Sequence, residues 1–127
     1  MPDQALEDEA PEVATTVLIV DDHASFRGSA RTLLLREGYD VVGEAETGTE
    51  AVRLAEQLKP DLVLLDVQLP DLDGFEVTEL LLELDEPPEV VLTSSRDDYA
   101  AAVVGTGALG FVPKDALSGK TLDALLT

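Results

Sequence analysis

Apolar residues along this chain follow two alternating rhythms. The first is the short unbroken run: Val17-Leu18-Ile19-Val20, Leu62-Val63-Leu64-Leu65 and Val90-Val91-Leu92. A run apolar at consecutive positions suits a strand covered on both faces, as in the middle of a parallel sheet. Val41-Val42, inside Asp40 to Ala45, is a shorter version that suits a sheet edge, and Leu109 to Val112 supplies a fifth strand. The second rhythm is helical. Phe26, Ala30, Leu33 and Leu34 share one helix face, and Gly38 offers the left-handed residue that commonly ends a helix. Ala51, Leu54, Ala55 and Leu58 form a second stripe, opened by the capping pair Thr47 and Glu50 and stopped by Pro60. Val77, Leu80, Leu81 and Leu84 form a third, opened by Asp73 and Glu76 and closed by Pro87-Pro88. The stretch from Arg96 to Thr106 has a helix-like centre of alanine and valine but ends in Gly105 and Gly107, so a fourth helix should be short or loosely held and mobile. Leu122, Leu125 and Leu126 mark a fifth helix.

Strands alternating with helices in this way predict an α/β fold, a doubly wound five-stranded parallel sheet with helices on both faces and right-handed crossovers. In such a sheet all carboxyl ends lie along one edge, where ligands bind. That edge gathers Asp21 and Asp22 after the first strand, Asp66 after the third, Thr93 after the fourth and Lys114 after the fifth. A few carboxylates with room for water suit Mg²⁺, and a hydroxyl with an ammonium suits an anion. Together they resemble a phosphoryl-transfer centre, where catalysis is largely positioning and neutralisation of charge on the phosphoryl oxygens. Singly, each residue has a plainer explanation. Asp66 alone could open a turn, Asp21-Asp22 could be a solvated pair at a helix N-terminus, Thr93 a strand-end hydroxyl and Lys114 a surface cation. Four strand ends carrying complementary groups favour the site.

Three further features are read conservatively. His23 suits a capping or exposed position at the start of a helix, and Phe111, on sequence grounds alone, half-buried packing in an edge strand. Gly105-Thr106-Gly107 is not a phosphate loop, because it follows a helix and lacks the Lys-Ser/Thr ending.

At 127 residues the chain fits one domain. Residues 1–14 are acidic, contain Pro2 and Pro11, and are read as a disordered tail ahead of a domain at 15–127. With 27 Asp and Glu against 8 Lys and Arg, the formal charge is −19, which should repel nucleic-acid phosphates and anionic membranes. Direct nucleic-acid binding by this segment is therefore not expected. No apolar run approaches the roughly 20 residues of a membrane span. The chain lacks cysteine, which excludes disulfide and thiol chemistry, and the cytoplasm is the default location.

The segments Val20-Asp21-Asp22, Leu64-Leu65-Asp66-Val67-Gln68-Leu69-Pro70-Asp71-Leu72-Asp73-Gly74, Leu92-Thr93-Ser94-Ser95 and Gly110-Phe111-Val112-Pro113-Lys114 together resemble the receiver domain of two-component response regulators. The resemblance runs from Val17 to Leu126. Asp21-Asp22-His23, Val42-Gly43-Glu44-Ala45 and Lys114-Asp115 look like the subgroup usually attached to a LuxR-type helix-turn-helix output domain. The resemblance implies a flavodoxin-like sheet of order 2-1-3-4-5. It also implies that Asp66 accepts a phosphoryl group from a phosphohistidine on a sensor histidine kinase. Mg²⁺ would be held by Asp22, Asp66 and the backbone carbonyl of Gln68, and by Asp21 through water. Lys114 and Thr93 would hold phosphoryl oxygens, and Phe111 would follow Thr93 in switching a surface of the fourth helix, fifth strand and fifth helix. Homodimerisation on phosphorylation and transcriptional output are further implications. Asp115 departs from the family, where proline often follows the lysine; Gln68 and Ser95 occupy the positions that tune phosphoryl lifetime. A phosphorylation-independent interaction module of the same fold is the alternative. A haloacid-dehalogenase-like phosphatase is less well matched, since Gln68 stands where that class needs a second aspartate.

Overall fold

The unbroken apolar runs form the centre of a sheet in which neighbouring residues of one strand face opposite helical layers. A computed structural model describes residues 14–96 and 99–126. Its elements are β1 (Thr16–Val20), α1 (Ala24–Arg36), β2 (Asp40–Ala45), α2 (Gly48–Leu58), β3 (Leu62–Asp66), α3 (Gly74–Leu82), β4 (Glu89–Ser94), a 3-10 turn (Ala100–Val103), β5 (Gly110–Pro113), a second 3-10 turn (Lys114–Ala116) and α4 (Gly119–Leu126). The strands pair in parallel in the order β2-β1-β3-β4-β5, as expected.

Leu18 and Val20, Val63 and Leu65, and Val90 and Leu92 pack with Ala51, Ala55, Val77 and Leu81 of α2 and α3. Their neighbours Val17, Ile19, Leu62, Leu64 and Val91 pack with Ala30, Leu34 and Leu122 of α1 and α4 on the other face. The pleat therefore divides each continuous run between two cores, and each fully buried Leu, Ile or Val adds about 1.5–3 kcal/mol. Those two cores hold the carboxyl ends of β1, β3 and β4 on one rigid edge.

The helix caps follow the sequence fully at α3 and in part at α2. Asp73 and Glu76 form a reciprocal capping box on α3. Thr47 accepts the Glu50 N–H at 3.1 Å, but the Glu50 carboxylate turns to the Glu46 N–H instead of completing a box. The remaining N–H groups at the start of α2 go to Asp71, from the loop after β3: Gly48 N and Thr49 N donate to its carboxylate at 2.8 and 2.9 Å. α4 begins at Gly119, three residues before Leu122, because Ser118 and Thr121 exchange hydrogen bonds across its first turn. Tyr39 donates to Asp123 at 2.6 Å, tying α4 to the turn before β2.

Among the described residues of the fourth helix expected over Arg96 to Thr106, the structure has one 3-10 turn, Ala100–Val103. Of the residues in that turn only Val103 is buried, while Val104 is 85% exposed, so little apolar surface rewards a longer helix. Gly105 and Gly107, at φ of 87° and 92°, then carry the chain through the left-handed region into β5. The expected mobile fourth helix includes residues 97 and 98, and the acidic stretch 1–14 includes residues 1–13; both sets lie outside the described residues.

Candidate functional site

Asp21, Asp66, Thr93 and Lys114 are brought together by the parallel register. Val20 of β1 pairs with Leu65 of β3, and Asp66 with Thr93 of β4, so the strand exits are level. Asp21 is fully buried and Asp66 is 3% exposed, whereas Asp22 opens to solvent. Lys114 reaches back from the end of β5 to within 2.6 Å of Asp21 Oδ2 and 3.4 Å of Asp66 Oδ2. The shorter contact is an ion pair without hydrogen-bond alignment. The lysine ammonium also lies 4.7 Å from the centre of the Phe26 ring, a cation–π arrangement that helps hold it half-buried.

Asp66 is additionally steadied by the Gln68 N–H, which donates to Oδ1 at 3.3 Å. Its carboxyl group is pushed up to about 6, first by burial and then by the charge of Asp21; Lys114 and the Gln68 N–H oppose the shift. The loop beyond it folds back tightly, with Gly74 N–H donating to Val67 O at 2.6 Å. A Cβ on Gly74 would stand 2.7 Å from Asp66 O and 2.8 Å from the Val67 Cα, so only glycine fits there.

One ligand atom each from Asp21, Asp22, His23 and Asp66 lie within 4.8 Å of one another. Three carboxylates face one ammonium, a donor set short of positive charge and open on the Asp22 side. That set fits a hard dication retaining several waters, such as Mg²⁺. The Gln68 backbone adjoins it through its N–H. His23 occupies the N-cap position of α1, but its ring makes no cap bond; the exposed ring places Nδ1 3.0 Å from Asp21 Oδ1 and 3.1 Å from Asp22 Oδ1.

On the opposite side of Asp66, Thr93 is 1% exposed and its Oγ1 has no hydrogen-bond partner among the described residues. Leaving a buried hydroxyl unpaired costs about 1–3 kcal/mol, which a group arriving at the site could recover. Phe111 pairs in register with Leu92, the residue before Thr93, and is half-buried against the α2 and α3 side of the core. With Pro113, Ala124 and Leu125 it also lines an apolar groove between β5 and α4.

Residues 17–126 match the family model described as response regulator receiver domain. The chain belongs to that family. This receiver is 42% identical over 100 residues to a putative transcriptional regulator of Pseudomonas aeruginosa, covering 77% of this chain and 48% of that protein. It is similar in structure to the receiver domain of the putative response regulator NarL from Mycobacterium tuberculosis, at 33% identity and a TM-score of 0.79, covering 91% and 98% of the two chains. It is also similar to a LuxR-family two-component response regulator from an Aurantimonas species, at 30% identity and a TM-score of 0.77, covering 90% and 84%. The chain spans about half the length of the first curated relatives it matches. No helix among the described residues is long and apolar enough to cross a membrane.

Two residues that sequence reasoning passed over enter the receiver's site region. Asp71 locks the loop after Asp66 to α2, and hydrogen bonds from Thr49, Gly48 and Leu72 hold its carboxyl group well below the usual range. Arg27 reaches the exit of β1 from inside α1.

Proposed function

We propose that this receiver is a phosphorylation switch in which Asp66 takes a phosphoryl group from a phosphohistidine on a sensor histidine kinase. The observation that carries the reading is a nearly buried Asp66 with Lys114 Nζ at 3.4 Å, inside a cluster of two further carboxylates. In the transfer, Asp66 Oδ bonds to phosphorus as the P–N bond to imidazole breaks, and the leaving nitrogen keeps the electron pair. Asp21, Asp22, Asp66 and the Gln68 carbonyl would hold Mg²⁺, which supplies charge neutralisation for the phosphoryl oxygens. Lys114 donates to one phosphoryl oxygen, and the Thr93 hydroxyl, unpaired beforehand, turns to another. Asp66 acts stoichiometrically, with slow self-dephosphorylation the only turnover.

Movement of Thr93 and the chain after β4 lets Phe111 reorient, biasing a surface made of the 3-10 turn, β5 and α4 between two arrangements. That surface serves output or homodimerisation, in the cytoplasm, within a transcriptional response regulator whose DNA contacts lie outside this acidic segment. Acetyl phosphate with Mg²⁺ should add one phosphoryl mass to wild type and none to Asp66→Asn. An unmodified wild type that binds Mg²⁺ would favour the phosphorylation-independent interaction module instead.

A further inference from the structure

Arg27 is the fourth residue of α1, inside the first turn, where the helix macrodipole disfavours a cation. Its side chain is nonetheless only 12% exposed. The guanidinium spans three groups: Nη1 donates to the backbone carbonyl of Asp21 at 2.7 Å, Nε to Glu44 Oε1 at 3.0 Å, and Nη2 lies 3.6 Å from Glu46 Oε2. Glu44 belongs to β2 and is steadied in turn by Arg31 at 3.0 Å, while the Asp21 N–H donates to Ala45 O of the same strand. Asp21 is consequently gripped through its backbone by Arg27 and β2, and through its carboxylate by Lys114 and His23.

Resting on the phosphorylation-switch reading, we infer that Arg27 is a positioning residue for the metal site. It bridges the Asp21 carbonyl to Glu44 so that the two acids after β1 present their carboxylates at a fixed angle toward Asp66. The planar five-donor fork explains the choice of residue, since it reaches the Asp21 carbonyl from Nη1 and Glu44 from Nε in one rigid plane, whereas an ammonium offers all its donors from a single nitrogen. The β1–α1 turn carries two adjacent acids that repel each other, and a backbone anchor outside the cluster restrains their separation without occupying a ligand position. Groups that orient metal ligands from behind change affinity by about 10–100-fold when removed.

The sign of the effect separates positioning from charge. If Arg27 matters only as a nearby cation, Arg27→Gln makes the site more negative and Mg²⁺ binds more tightly. If it positions Asp21 and Asp22, Mg²⁺ binds more weakly. Calorimetric titration of Mg²⁺ into the whole chain should show about a tenfold loss for Arg27→Gln, slower labelling of Asp66 by acetyl phosphate, and a clearly smaller loss for Arg31→Gln. Arg31→Gln removes the same charge one turn along α1 without a bond to Asp21. Arg27→Lys, which keeps the charge and much of the packed stem, should also bind more weakly than wild type, and it carries the comparison if the glutamine variant does not fold. Unchanged or tighter Mg²⁺ binding in the folded Arg27 variants overturns the inference. Failure of wild type to bind Mg²⁺ at all overturns the phosphorylation-switch reading beneath it.

Discussion

At the exits of β1 and β3 the buried acids Asp21 and Asp66 are each held from several directions, while among the described residues between β4 and β5 only Val103 is a buried apolar side chain. Asp21 has Lys114, His23 and the β2 backbone as partners; the loop after Asp66 is fastened by Gly74 to Val67 O and by Asp71 to α2. Between Ser94 and Gly110, by contrast, Val103 is the buried apolar side chain of a one-turn 3-10 helix, and two glycines with positive φ follow. The difference teaches where each task sits. For the proposed phosphoryl transfer, charge must be assembled in advance, because reorganising carboxylates during the reaction would cost the stabilisation they provide. On the phosphorylation-switch proposal the readout needs two arrangements close in energy, and little apolar burial in its segment suits that need.

The comparison can be broken most directly by removing packing on each side. Leu64→Ala, in a strand residue 1% exposed, should cost about 2–5 kcal/mol in denaturant unfolding, and Val103→Ala clearly less. Equal losses would mean that the segment before β5 is as firmly built as the central sheet. Next in size is Gly74→Ala, which forces a methyl group against Asp66 O and the Val67 Cα and should cost about 1–3 kcal/mol. It should also lower Asp66 labelling by acetyl phosphate in the surviving folded protein.

A third prediction concerns pH. The Asp66 carboxyl titrates near 6 in the folded chain against an ordinary value of 3.8, so the folded state binds the proton more tightly than the unfolded one. Without Mg²⁺, this group makes the protein more stable as pH falls from above 6 toward 4 and less stable as it rises again. Melting curves of Asp66→Asn should lack that component and lie above wild type at neutral pH. Asp71 works in the opposite sense: its lowered value stabilises the fold above about pH 4 and is lost in stronger acid, so Asp71→Asn should melt lower than wild type at neutral pH. The smallest effect belongs to Val104→Ser. At 85% exposure it should change stability by no more than about 0.5 kcal/mol.

Much of the site was legible because parallel topology turns sequence position into spatial position: once five strands are recognised, their last residues are neighbours. Asp21, Asp66, Thr93 and Lys114 could be named that way. Arg27 and Asp71 could not, since each acts across a gap that no local pattern spans, from within α1 to the Asp21 carbonyl just after β1 and from the loop after β3 to the start of α2. The alanine-rich stretch before β5 was legible as a weak helix, but its collapse to one 3-10 turn depended on how little of it found a core to cover.

The sequence alone determined the strand runs, the alternation of elements and the residue types at each strand exit, because these follow from short-range periodicity and steric preference. Only the tertiary structure decided the level register that sets Lys114 between Asp21 and Asp66, the burial that raises the proton affinity of Asp66, and the unpaired hydroxyl of Thr93. Those properties depend on distance and on the exclusion of water, and both are settled by packing between segments far apart in the chain.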